Sequence, residues 1–196
     1  MLRFIKAPRT ISGPIESLLK ANKRMNIFGI AGHSGMGKTT LLERLLPLLR
    51  ARGLVVSLIK HSHKSIQIDQ PGKDSHRLRE AGCQEVLLLG NERWALMHEL
   101  RDAGEPTLDE LLARLAPCDL VLVEGFKQGD FPKLEVWRAE LDKPLLWPQW
   151  PGIVCVASDT PQQVPAGVQA LDLGDAAAIV DAVLAHAALV PQEDRP

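Results

Sequence analysis

Short apolar runs alternate with amphipathic stretches along most of this chain. Residues 27–31, 54–61, 85–89 and 119–124 have the length and the Val/Leu/Ile content of buried strands. Residues 93–100 and 133–138 predict two more, and 153–157 is expected to be the last strand of the fold. Between them Leu41, Leu42, Leu45, Leu46, Leu48 and Leu49 mark a helix over 38–52 that stops at Gly53, a suitable C′ residue. Pro47 lies inside it and is expected to cost a hydrogen bond and kink the helix. Residues 74–81 predict a short helix closed by Gly82. Thr107 with Glu110 forms a capping box for a helix reaching Leu115, and 175–188 predicts a terminal amphipathic helix. This alternation implies an α/β fold with a mostly parallel sheet flanked by helices. In such sheets ligands collect beyond the carboxyl ends of the strands.

The first run leads into Gly32-His33-Ser34-Gly35-Met36-Gly37-Lys38-Thr39, with Thr40 next. This is a full phosphate-binding loop between a strand and a helix. A loop wrapped round a polyphosphate turns its backbone N–H groups inward, through conformations glycine reaches without a Cβ clash. The N-terminus of the helix that follows adds partial positive charge. Lys38 is predicted to neutralise the β and γ phosphates, and the Thr39 hydroxyl to complete the shell of a Mg2+ ion. The expected architecture is P-loop NTPase-like, and the expected ligand a nucleoside triphosphate.

At 196 residues the chain suits one domain with a full core. Its net charge of −1 does not suggest a nucleic-acid partner. No apolar run approaches the roughly 20 residues of a membrane helix. Cys83, Cys118 and Cys155 are far apart and set among apolar neighbours, so all three are expected to be reduced core residues of a cytoplasmic protein. Residues 1–24 hold six Lys/Arg against one acid, Glu16, while the rest holds seventeen against twenty-three. This basic extension is expected to be loosely ordered. It reads as dispensable, as a start-codon misassignment ahead of Met25, or as an arm for an acidic partner. The nucleotide-binding domain is expected over 25–190, with a polar tail at 191–196.

Glu124 closes the apolar strand Leu120-Val121-Leu122-Val123, where a phosphate-loop protein keeps the acid that holds Mg2+ directly or through water. The alternative is an acid capping the next loop. Lys60 ends another strand and needs an anionic neighbour there, either a phosphate or the metal-site carboxylate. His61 and His63 resemble a metal pair, but no third ligand is spaced to complete one.

These residues belong to a longer series. It runs Lys60-His61-x-His63, Asp69-x-Pro71-Gly72-Lys73-Asp74-Ser75 with Arg77 and Ala81-Gly82, Arg93-Trp94-Ala95-Leu96-Met97, Glu124-Gly125-Phe126-Lys127 and Val156-Ala157-Ser158-Asp159. In this order the series resembles the MobB family, the molybdopterin-guanine dinucleotide biosynthesis adapter proteins. The likeness runs from about Met25 to the terminal helix. The phosphate loop is shared by very many families, whereas the Pro-Gly-Lys-Asp-Ser block with Glu-Gly-Phe-Lys is far more particular. The resemblance implies GTP bound with Mg2+, a homodimer, partnership with the guanylyltransferase that joins GMP to molybdopterin, and weak hydrolysis at most. It implies phosphate contacts from Gly35, Gly37, Lys38, Thr39 and Thr40, with Glu124 near the metal. The basic extension lies outside the family pattern.

The guanine preference has no Asn-Lys-x-Asp signature behind it. Ser158 and Asp159 follow a strand where a base can sit, and a carboxylate can accept from both guanine N1 and N2; alternatively Asp159 caps the turn before Pro161. Residues 69–75, with Lys73 and Asp74, read either as a switch that orders over the γ-phosphate or as a surface turn. Trp147 and Trp150 read as a partner surface or as cover for the sheet. Two other functions fit the loop. A small kinase would use the loop and Glu124, with Arg77 and Arg79 on a lid. A GTPase metallochaperone is disfavoured by the lack of a clustered Cys/His site.

Overall fold

The computed structural model describes residues 25–62, 66, 68–126 and 129–190. The basic extension, the tail after residue 190, His63 and Lys127 lie outside the described residues. The elements in chain order are β1 (Asn26–Ala31), α1 (Lys38–Ala51), β2 (Val56–Lys60), α2 (Asp74–Glu80), β3 (Glu85–Leu89), β4 (Trp94–His98) and α3 (Leu108–Arg114). They continue as β5 (Leu120–Glu124), β6 (Lys133–Trp137), β7 (Ile153–Ser158), β8 (Gln169–Asp172), α4 (Ala176–His186) and β9 (Ala188–Leu189). The main sheet runs β2-β5-β1-β6-β7-β8, with every neighbouring pair parallel. β9 pairs antiparallel with β1 at Asn26 and Ile27, below the point where β6 begins at Gly29.

The near-continuous apolar strands are buried because both faces of the sheet are covered. On one face Phe28, Ile30, Leu120, Leu122, Leu134 and Val136 pack with leucines 41, 42, 45 and 49 of α1 and with Ile179, Val180 and Val183 of α4. Each such side chain contributes about 1.5–3 kcal/mol relative to exposure. On the other face Ile27, Ile59, Val121 and Val123 meet Leu112 of α3, and Ala31 and Val156 meet Leu146. α1 runs through Pro47 as one continuous element, and Gly53 takes the positive φ expected of its C-terminal stop. The capping box on α3 forms: Thr107 N–H donates to Glu110 Oε2 at 2.7 Å, and Glu110 N–H donates to Thr107 Oγ1 at 3.3 Å.

Three expectations need correction. The strand at 153–157 is not the last: β8 and β9 follow it. β8 is an edge strand with three of its four residues exposed and β9 is only two residues long, so neither shows as an apolar run. β3 and β4 do not join the parallel sheet but form a separate antiparallel hairpin with Leu89 opposite Trp94. Only Val86 and Met97 of the hairpin are buried; Leu87, Leu88, Leu89, Trp94 and Leu96 face outward. Cys83 is exposed, because it follows α2 on this hairpin side, whereas Cys118 and Cys155 are core residues as expected. Trp147 and Trp150 pack against the Ala31–Val156 cluster and serve as cover for the sheet.

β6 carries two buried charged groups that tie this cover down. The Lys133 ammonium donates to the carbonyls of Gly129, Phe131 and Pro151 and lies 4.2 Å from the centre of the Phe131 ring. The Glu135 carboxylate is fully buried and accepts from Leu146 N–H at 2.8 Å and Trp147 N–H at 3.0 Å. Burial pushes the Glu135 carboxyl above, and the Lys133 ammonium below, their ordinary values. Glu135→Ala strips the acceptor from two buried N–H groups. It should cost about 2–4 kcal/mol of stability, read as a lowered urea midpoint; an unchanged midpoint would show that segment 144–151 is held some other way.

Candidate functional site

The loop between β1 and α1 follows from where β1 stops. Gly32 sits so close to β6 that a Cβ on it would lie 2.5 Å from the Val136 carbonyl oxygen, at a φ of 132°. Gly37, at φ 92°, turns the chain into α1 without a side-chain cap, which leaves the first N–H groups of the helix facing the loop. Met36 anchors the loop from below, its side chain fully buried in the core. Ser34 and Gly35 form the exposed crest, and Thr39 and Thr40 are exposed in the first turn of α1.

Lys38 folds back over the loop: its Nζ donates to the carbonyls of Gly32 and His33, each at 2.9 Å. Burial lowers the affinity of this ammonium for its proton, Glu124 opposes that effect, and Lys60 adds to it. The parallel register of β2 on β5 puts Lys60 opposite Glu124, so both side chains leave adjacent strand ends. Lys60 Nζ stands 3.2 Å from Glu124 Oε2 and donates to Thr39 Oγ1 at 3.3 Å. The two oxygens expected to hold Mg2+ therefore already converge on one cationic group.

This donor set fits a magnesium ion. Hydroxyl and carboxylate oxygens are the hard ligands Mg2+ takes, with the remaining positions filled by water and phosphate. Among the described residues no group of three or more His, Cys, Asp or Glu side chains is placed to hold a metal on its own. The loop opens on a cavity of about 390 Å³. Its lining combines polar side chains, among them His33, Ser34, Lys38 and Glu124, with the apolar Phe126, Leu146 and Trp150. His33 Nε2 lies 3.0 Å from the Pro144 carbonyl oxygen, which joins the loop to segment 144–151. His61 stacks at a tilt on Phe126, ring centres 5.1 Å apart, and its Nε2 lies 3.3 Å from Glu105 Oε2.

The remaining candidates do not line this cavity. Ser158 is fully buried and its hydroxyl accepts from Thr160 N–H at 3.0 Å. Asp159 is paired with Arg138, Nη1 to Oδ2 at 2.7 Å. Lys73 is the N-cap residue of α2 and does not line the cavity. Asp69 is held by Arg79 through Nε at 3.1 Å and Nη2 at 2.6 Å, which keeps its carboxyl below the usual range. Arg79 also reaches Glu99 beyond β4, and the two acidic partners hold its guanidinium firmly charged. Arg138 was not among the residues singled out from the sequence. Its place immediately after β6, at the carboxyl edge of the sheet, is the signal that points to it.

A family model described as MobB, molybdopterin guanine dinucleotide synthesis protein B, matches residues 27–159. A molybdopterin-guanine dinucleotide biosynthesis adapter protein of Haemophilus influenzae is 50% identical over 127 residues, covering 63% of this chain and 70% of that protein. The protein of the same description from Escherichia coli K12 is 39% identical over 163 residues, 81% of this chain and 91% of its own. The crystal structure of Bacillus subtilis MobB superposes with a TM-score of 0.65 at 23% identity, covering 83% of this chain and 98% of the other, which bears on fold alone.

Two substitutions test the candidate site. Lys38→Ala should lower the affinity for inorganic tripolyphosphate and for nucleoside triphosphates by about tenfold or more, with the thermal midpoint nearly unchanged. Equal calorimetric affinity in the variant would remove the loop as the binding element. Glu124→Gln should weaken the Mg2+ dependence of triphosphate binding, and a metal titration that overlays the unsubstituted protein would take Glu124 out of the metal shell.

Proposed function

The chain belongs to the MobB family, and on that premise we propose that it is a GTP-binding adapter in the assembly of molybdopterin guanine dinucleotide. The observation that carries the nucleotide reading is the convergence of Lys38, Thr39, Lys60 and Glu124 on the mouth of the phosphate loop. In this reading the Gly32–Thr39 loop and Thr40 hold the triphosphate of GTP. Thr39 and Glu124 would hold Mg2+, which would neutralise charge on the phosphates, with the Lys60 ammonium beside them as a further cation. Asp159 accepts from the guanine edge, and Ser158 supports the turn that carries it. Lys73 and the 69–75 segment close toward the γ-phosphate when nucleotide is bound.

The output is a docking state: the nucleotide-bound adapter engages the guanylyltransferase in the cytoplasm and hydrolyses GTP weakly at most. Self-association as a homodimer is supported by the apolar surface of the β3–β4 hairpin, where Leu87, Leu89 and Trp94 stand exposed. No helix among the described residues is long and apolar enough to cross a membrane.

One observation favours a second reading. The cavity that Lys38 lines is also lined by the apolar Leu146 and Trp150, which offers room for the acceptor of a small kinase. Against it, Arg79, one of the two arginines available to a lid, is committed to Asp69 and Glu99. The two readings separate in one experiment on the full chain with Mg·GTP. The adapter reading expects capture of the guanylyltransferase that requires GTP, with negligible release of phosphate. Turnover onto an added acceptor at ordinary enzyme rates, or capture indifferent to nucleotide, would contradict it.

A further inference from the structure

We propose that Arg138 is a positioning residue that couples base recognition to the phosphate loop, by holding the Asp159 carboxylate and the Met36 carbonyl with one guanidinium. This role deepens the guanine-nucleotide reading above and rests on it.

The strand order places β6 between β1, which carries the loop, and β7, which carries Ser158 and Asp159. Trp137 of β6 is registered against Ser158 of β7, so Arg138 and Asp159 leave the sheet side by side. From there Arg138 Nη1 donates to Asp159 Oδ2 at 2.7 Å, and Nε donates to the Met36 carbonyl at 3.2 Å. The guanidinium lies along the loop itself: a Cβ on Gly37 would be 3.7 Å from both Nε and Nη2. Both groups it joins are fixed from behind. Met36 is buried without remainder, and the buried Ser158 hydroxyl holds the turn just after Asp159.

The chemistry of arginine suits this position and that of lysine does not. A guanidinium is planar and always charged, and its donors point in fixed directions, so a shift at the Met36 carbonyl is transmitted to Asp159. An ammonium can bridge two acceptors, but its three donors turn freely on a flexible stem, so it fixes no direction between them. The bond to Arg138 uses part of the acceptor capacity of the carboxylate, which has about four lone-pair sites. Enough is left for the N1–H and N2–H groups of guanine. The tie supplies what the missing Asn-Lys-x-Asp segment leaves open: a rigid link between the place where a base is read and the place where phosphates are held.

The ion pair is about one-third exposed on each side, 32% at Arg138 and 33% at Asp159. A pair this wet contributes little to folding, so its loss should show in ligand preference before it shows in stability. Calorimetric titration of the full-length protein with Mg·GTP, Mg·ATP and inorganic tripolyphosphate tests this directly, on the unsubstituted chain, Arg138→Met, Arg138→Lys, Asp159→Asn and the Arg138→Met/Asp159→Asn double variant. Arg138→Met should weaken GTP about tenfold and narrow the GTP-over-ATP preference, with Arg138→Lys failing to restore it. In the Asp159→Asn background the same change should alter GTP affinity less than about threefold, because the two residues act as a unit. An unchanged GTP-to-ATP ratio in Arg138→Met, or additive effects in the double variant, overturns the coupling while leaving the guanine reading intact. Tripolyphosphate uptake with no preference for GTP in the unsubstituted chain overturns both.

Discussion

β1 is hydrogen-bonded along both edges, to β5 on one side and to β6 and β9 on the other, and that pairing decides where each group of the loop stands. A strand held this way cannot twist aside as it leaves the sheet. The chain must turn at Gly32 against the backbone of β6, at a distance that only glycine tolerates. It must then enter α1 through Gly37, with its first N–H groups aimed back over the strand ends. The same parallel order brings Lys60 beside Glu124 on one flank of the loop and Arg138 beside Asp159 on the other. The site is thus an edge phenomenon, a row of side chains presented where several parallel strands end together.

The charges at that edge are arranged to receive a polyanion. Lys38, Lys60 and Glu124 form a net cationic group beside a positive helix terminus, which suits a polyanion and gains strength as water is excluded. The buried Lys133 and Glu135 do different work one layer below. They satisfy backbone carbonyls and N–H groups of the irregular segments that cover the sheet, and so set the apolar lining of the cavity. An irregular cover can be rigid when its polar backbone groups end on buried side chains.

Much of this was legible from residue order. The strand, loop and helix around Lys38 announce themselves because glycine spacing and apolar period agree. Lys60 and Glu124 stand out because charged residues seldom close buried strands without a reason. The rest was hidden for identifiable physical causes. β8 is a largely exposed edge strand, and β9 is two residues long, so neither has a pattern to detect. The leucine run of β3 has the composition of a core strand but lies on an exposed hairpin, since composition does not reveal whether a partner covers it. β6 alternates charged and apolar residues as a half-solvated strand would, yet Lys133 and Glu135 are buried against the irregular segments on either side of the strand, which carry no apolar period of their own. Arg138 needed the strand order as well as the sequence, because its two partners lie 102 and 21 residues away.

Nucleotide uptake by the purified full-length protein is the most direct test of the whole account, measured by equilibrium calorimetry with GTP in buffer containing magnesium and again with magnesium chelated. The account predicts saturable binding of one GTP per chain that weakens when the metal is removed. Failure to take up any nucleoside triphosphate in magnesium buffer would contradict it, since the glycine-lined loop, Lys38 and Glu124 would then have no common ligand.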